Sequence, residues 1–143
     1  MATKPSEILR EGRVVLDPLL GKYGFSFVQG PAGSGSGGPY ASGVYRNGER
    51  TLEISYRFSL GLVTYHFREI SIDHESYMRF VPGAKGHHRY PGFSDDPLSG
   101  FRDLAYDLEN FATSFLNGEF AEFSQFVTAA QNWKKLPGLA KLS

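Results

Sequence analysis

Residues 44–58 read VYRNGERTLEISYRF, and this stretch decides the fold. Asn47-Gly48 is a strong two-residue hairpin signal, because both residue types tolerate positive φ. Beyond it, Leu52, Ile54, Tyr56 and Phe58 alternate with Thr51, Glu53, Ser55 and Arg57. A period of two sends the first set to one side of a strand and the second to the other. Centring the turn on Asn47-Gly48 pairs Arg46 with Glu49, Val44 with Thr51 and Ala41 with Ile54.

Toward the C-terminus, Ser59-Leu60-Gly61-Leu62 reads as a second turn. It predicts Phe58 opposite Val63, Tyr56 opposite Tyr65 and Ile54 opposite Phe67. The other side then pairs Arg57 with Thr64, Ser55 with His66 and Glu53 with Arg68. One register thus serves the apolar side and joins opposite charges. With residues 25–28 (FSFV) as a short strand, an antiparallel sheet of about four strands is expected.

Helical periodicity flanks this sheet. Ile8, Leu9, Val15, Leu16, Leu19 and Leu20 follow helical spacing, with Thr3 or Ser6 as a cap and Pro18 as a kink or a break. After the strands, Ser71 or Asp73 is placed to cap a short helix carrying Tyr77, Met78 and Val81. Asp95 or Asp96, followed by Pro97, starts a longer helix. Its stripe is Phe101, Leu104, Ala105, Leu108, Phe111, Ala112, Phe115 and Leu116, and Asn117-Gly118 ends it. Phe120, Phe123, Phe126, Val127, Ala130 and Trp133 form a second stripe. A sheet with one apolar side must be covered. The expectation is one α+β domain over residues 1–143, with N- and C-terminal helices on one face. A flexible Gly-rich loop at 30–39 and a long loop at 82–97 interrupt it.

The totals narrow the function. Fifteen basic and fifteen acidic side chains cancel, so the basic surplus usual in nucleic-acid binders is missing. There is no cysteine, hence no disulfide, thiolate chemistry or cysteine-based zinc site. The first residues lack a signal-peptide layout, and no run of about 18 apolar residues exists to span a membrane. A cytoplasmic location without membrane contact is expected.

Chemical motifs are few. Gly33 to Gly38 spell G-x-G-x-x-G, but a strand-like segment follows where the dinucleotide fingerprint needs a helix. No catalytic residues, cofactor or metal are assigned from the sequence. The polar strand face carries Arg46, Glu53, Arg57, His66 and Arg68, and the long loop adds Arg89 and Tyr90. Together they form a candidate partner surface, since mixed charges favour specific association. An alternative ligand region draws on His74, His87, His88, Asp95 and Asp96, with Asp73 and Glu75 nearby. No spacing there matches a helical metal-ligand motif.

An opening helix runs into Leu19-Leu20-Gly21-Lys22-Tyr23-Gly24-Phe25, strands carrying Tyr45-Arg46 follow, and helices close the chain. This layout resembles small bacterial α+β proteins, among them the immunity proteins of polymorphic toxin systems. The segments SLGLVTYHF, DHESYM and YPGFSDDP look like family signatures. The resemblance implies a non-catalytic protein that neutralises a cognate toxin by binding it, with no catalytic residues to carry over. The alternative is a small enzyme or a ligand- or metal-binding protein built on the His74 and 87–96 region.

Overall fold

Strands β2 (Gly38–Asn47) and β3 (Arg50–Tyr56) form the central hairpin. The computed structural model describes residues 4–35, 38–92 and 94–138. Around the hairpin stand β1 (Ser26–Gly35), β4 (Thr64–Phe67) and β5 (Ile70–Asp73), in the antiparallel order β1-β2-β3-β4-β5. The layout is α+β, as expected, with one strand more than the sequence pattern showed.

The hairpin register differs from expectation. Asn47 pairs with Arg50 and Arg46 with Thr51, so Gly48 and Glu49 form the turn. Positive φ falls on Gly48 (58°), and Asn47 stays in the strand, where its Nδ2 donates to the Tyr23 carbonyl at 2.9 Å. That contact ties the turn to the end of the first helix. The β3–β4 register also moves, with Leu52 opposite Tyr65 and Glu53 opposite Thr64. Both displacements are even, so every side chain keeps its assigned face. The exception in burial is Phe58. It was expected on the apolar side, but β3 ends at Tyr56 and Phe58 is 81% exposed.

Residues 30–35, 38 and 39 are strand, not the loop that composition suggests for 30–39, of which 36 and 37 lie outside the described residues. β1 continues to Gly35 and pairs with β2 as far as Gly35–Gly38, with a register shift between Gln29 and Ala32. Small residues permit the close approach of the two strands here: a Cβ on Gly30 would stand 2.9 Å from Ser42 Oγ. β5 was also missed, because Ser71 and Asp73 read as helix caps. Asp73 serves twice, ending β5 and capping α2 (His74–Phe80) by accepting from Ser76 N at 3.1 Å.

Helix α1 (Pro5–Lys22) runs unbroken through Pro18. Both Pro18 and Val14, whose carbonyl loses its partner there, lie on the exposed side, where water can satisfy that carbonyl. α3 (Ser99–Phe111) stops short of the expected Leu116. The chain bends at Ala112 and resumes as α4 (Thr113–Leu116). The Tyr77 hydroxyl sits at this break, bonding Ser114 Oγ and accepting Phe115 N–H at 3.1 Å. Asp96 lies before α3 rather than at its cap residue, Leu98, and accepts the Leu98 N–H at 2.9 Å. α5 (Phe120–Lys134) closes the described chain.

All these helices cover one side of the sheet. Tyr45, Leu52, Ile54, Tyr56, Tyr65, Phe67 and Ile72 point into the core from the strands. Leu9, Leu16, Leu20, Phe101, Leu104, Leu108, Phe115 and Phe123 meet them from the helices. The opposite side, with Arg46, Glu53, Ser55, His66 and Ser71, is partly or fully exposed. No helix among the described residues is long and apolar enough to cross a membrane.

Candidate functional site

A polar chain lies buried under the helices. The Tyr65 hydroxyl is 2.6 Å from His74 Nδ1, and His74 Nε2 is 2.9 Å from Asp107 Oδ2. Burial first, then Tyr77 and Asp107, push the Tyr65 hydroxyl well above its ordinary pKa. Tyr65 therefore keeps its proton and donates to Nδ1, which leaves Nε2–H to donate to the Asp107 carboxylate. That carboxylate also accepts the Arg89 N–H at 2.7 Å and the Tyr90 N–H at 2.8 Å. His88 Nδ1 donates to the Tyr90 carbonyl at 3.0 Å and stands 3.9 Å from Asp107 Oδ2.

A tyrosine–histidine–carboxylate sequence has the order of a proton relay. Its terminal groups are closed off, however, since Tyr65 and Asp107 are each 0% exposed. The hydrogen bonds of Asp107 go to backbone and to His74, so the network holds residues 88–90 against the core. That placement has a consequence at the surface. Tyr90, clamped from behind, extends its hydroxyl to the Leu60 carbonyl at 2.6 Å and to that of Gly61. Burial lifts its pKa to about 12.

Residues 57–63, between β3 and β4, are thus fixed from several directions. Leu60 is buried and bridges to Tyr56. Gly61 N–H donates to the Ser55 carbonyl at 2.8 Å, and Arg57 N–H to that of Ser59 at 3.2 Å. Arg57 Nη1 reaches the Gly38 carbonyl at 2.6 Å. On this rigid frame Phe58 (81% exposed) and Leu62 (70%) project into solvent on either side of Leu60. Two cavities flank them. One, of 290 Å³, lies between Phe58 and the loop carrying Tyr90, Pro91, Asp95 and Asp96. The other, of 240 Å³, lies between Leu62 and the start of α2, with Asp73, His74 and Glu75.

The sequence-derived surface is rearranged by this geometry. Tyr90 is buried, 6% exposed, so its side chain is an internal anchor and not a surface contact. Arg89 is exposed and lies over the Tyr106 ring, 3.5 Å from its centroid. On the open sheet face His66 pairs with Glu53 at 3.0 Å, and Arg68 pairs with Glu49 at 2.9 Å, not with Glu53 as expected. Arg57 is half-buried beside Tyr40, and Arg46 is exposed. Of the alternative ligand set, His74 and His88 converge on Asp107, while His87, Asp95 and Asp96 are exposed and apart from that cluster. Phe93, in the segment YPGFSDDP, lies outside the described residues.

Two elements of the site escaped the sequence reading. Asp107 sits three residues after Leu104 and four before Phe111, so it occupies the apolar face of its helix. A lone carboxylate at such a position was the available signal. The exposure of Phe58 and Leu62 had none, because apolar pattern alone does not show where a strand ends. Comparison with family models, curated proteins and solved structures returns no match.

Proposed function

We propose that this chain is a non-catalytic protein-binding module that engages its partner through the clamped loop at the end of the open sheet face. The observation that carries this reading is the presentation of Phe58 and Leu62 on a loop held by Tyr90, Ser55 and Gly38. Large apolar side chains on a rigid frame are typical interface anchors, since little ordering entropy is lost on binding. Burying each against a partner contributes about 1.5–3 kcal/mol. Of the polar set read from the sequence, Arg57 lies on the loop itself, Glu53 and His66 stand midway along the open face, and Arg46 and Arg68 lie at its opposite, hairpin end. The toxin-neutralising form of this reading rests on the layout resemblance alone, and it adds that the partner is an enzyme occluded by contact.

The test is capture of partners from the native cell lysate by tagged wild type and by the Phe58→Ser/Leu62→Ser variant. Wild type should retain a stoichiometric protein that the variant loses. Equal retention by both, with the variant folded, would overturn the reading.

A second reading, cation binding, is favoured by one observation. One ligand atom each from His74, His88 and Asp107 lies within 4.8 Å of the others. Zinc titration followed by calorimetry tests it. Binding that vanishes in His88→Ala supports it, and no heat at millimolar zinc removes it.

A further inference from the structure

The proposed binding loop is set in a charge pattern that specifies its partner. The cavity beside Phe58 is lined by Tyr56, Tyr90 and Pro97 together with Asp95 and Asp96. The cavity beside Leu62 carries Asp73 and Glu75. Among the described residues, neither lining contains a lysine or an arginine. Two of these carboxylates already have cationic neighbours. Asp96 is bonded by Arg102, and Asp73 lies 3.7 Å from Lys134. Asp95 and Glu75 are exposed and have no ion-pair partner among the described residues. Each apolar anchor therefore stands beside a groove that holds one unpaired negative charge.

We infer that the partner is a basic protein segment, with lysine or arginine side chains entering the two grooves beside an apolar patch that receives Phe58 and Leu62. This rests on the protein-binding reading of the same loop. A long basic side chain fits both halves of such a groove. Its methylene stem lies along the aromatic and proline walls, and its charged head meets the carboxylate. An acidic or neutral segment would leave Asp95 and Glu75 facing like charge or without a partner, which selects against it.

The probe is a pair of 12-residue synthetic peptides that share leucine and tyrosine positions and carry lysine and arginine, or glutamate, at the remaining sites. Each is titrated into the full ¹⁵N-labelled chain at low salt. The basic peptide should move the amides of residues 57–63, 73–75 and 94–97, and the glutamate peptide should not. Glu75→Gln/Asp95→Asn, with folding checked by its thermal midpoint, should bind the basic peptide about five-fold more weakly, as the loss of two exposed ion pairs predicts. Equal response to both peptides, shifts confined to the open sheet face, or unchanged binding by the double variant would each overturn the inference. The outcomes stay separable from the parent reading. If Phe58→Ser/Leu62→Ser loses the captured partner while Glu75→Gln/Asp95→Asn keeps it at full affinity, the loop still binds protein and only its charge preference is refuted.

Discussion

Replacing Asp107 by asparagine keeps the shape of a fully buried side chain while removing one acceptor. The carboxylate serves His74 Nε2, Arg89 N and Tyr90 N, at 2.9, 2.7 and 2.8 Å. With the amide oxygen in the Oδ2 position, His74 and Tyr90 keep a partner, and the new NH₂ confronts the Arg89 N–H. With the amide turned round, Arg89 keeps its partner. His74 can then change tautomer to accept at Nε2, but Tyr90 N–H is left without an acceptor. Either way one backbone donor is unsatisfied, at a cost of about 1–3 kcal/mol. The surviving bonds also lose their charge assistance, which roughly doubles such a bond. The expected destabilisation is about 3 kcal/mol, and Asp107→Ala, which strands all three donors, should exceed it. Urea unfolding measures the loss, with an unchanged m value as the control for an intact native state. Hydrogen exchange supplies the local readout: the Arg89, Tyr90 and Gly61 amides should lose protection before the core strands do. A loss below about 0.5 kcal/mol would show that the network does not hold the loop. Large destabilisation with the Gly61 amide still protected would refute the link from Asp107 through Tyr90 to the binding loop.

Tyr90→Phe removes the hydroxyl that holds Leu60 and Gly61 and should cost about 1–2 kcal/mol. Because burial raises the folded pKa of Tyr90 from 10.0 to about 12, its contribution is complete below the unfolded value and is lost as pH rises through the folded one. The variant should therefore lose less stability than wild type between roughly pH 10 and 12 in urea titrations. Burial pushes the Asp73 carboxyl up, but the Ser76 hydroxyl and N–H, with Lys134, outweigh it and hold it below the ordinary 3.8. That stabilisation is present above the unfolded pKa and disappears as pH falls through the lowered folded one. Asp73→Ala should cost about 1 kcal/mol near pH 7 and show a smaller loss on acidification, read from urea midpoints. Gly12→Ala should destabilise by about 1–3 kcal/mol, because α1 crosses α3 there and the added methyl meets Phe101. Its Cβ would stand 2.4 Å from that ring, and a thermal midpoint equal to wild type would show that Phe101 can give way.

Local patterning was enough to set the class of fold and the sidedness of its sheet. Alternation from Thr51 to Tyr56 and the stripes through Leu104 and Phe123 are local consequences of side-chain direction, so they survive any even error in register. Strand ends and pairing did not have that protection. Nothing in VYRNGER says that Asn47 will leave the turn to bond Tyr23, and nothing in YRFSLGL says that Leu60, not Phe58, will turn inward. Glycines at 30–39 read as freedom, yet β2 offers Gly33 and Gly35 backbone partners, and pairing with a neighbouring strand outweighs composition. The site was legible only in pieces: His74, His88 and Tyr90 stood out as residue types, but Asp107, which joins them, is 33 residues from His74 in the chain. Burial and donor geometry depend on what packs across that gap. Long-range packing is what makes one tyrosine anchor a loop from within while a phenylalanine two residues beyond a strand's end stays in water.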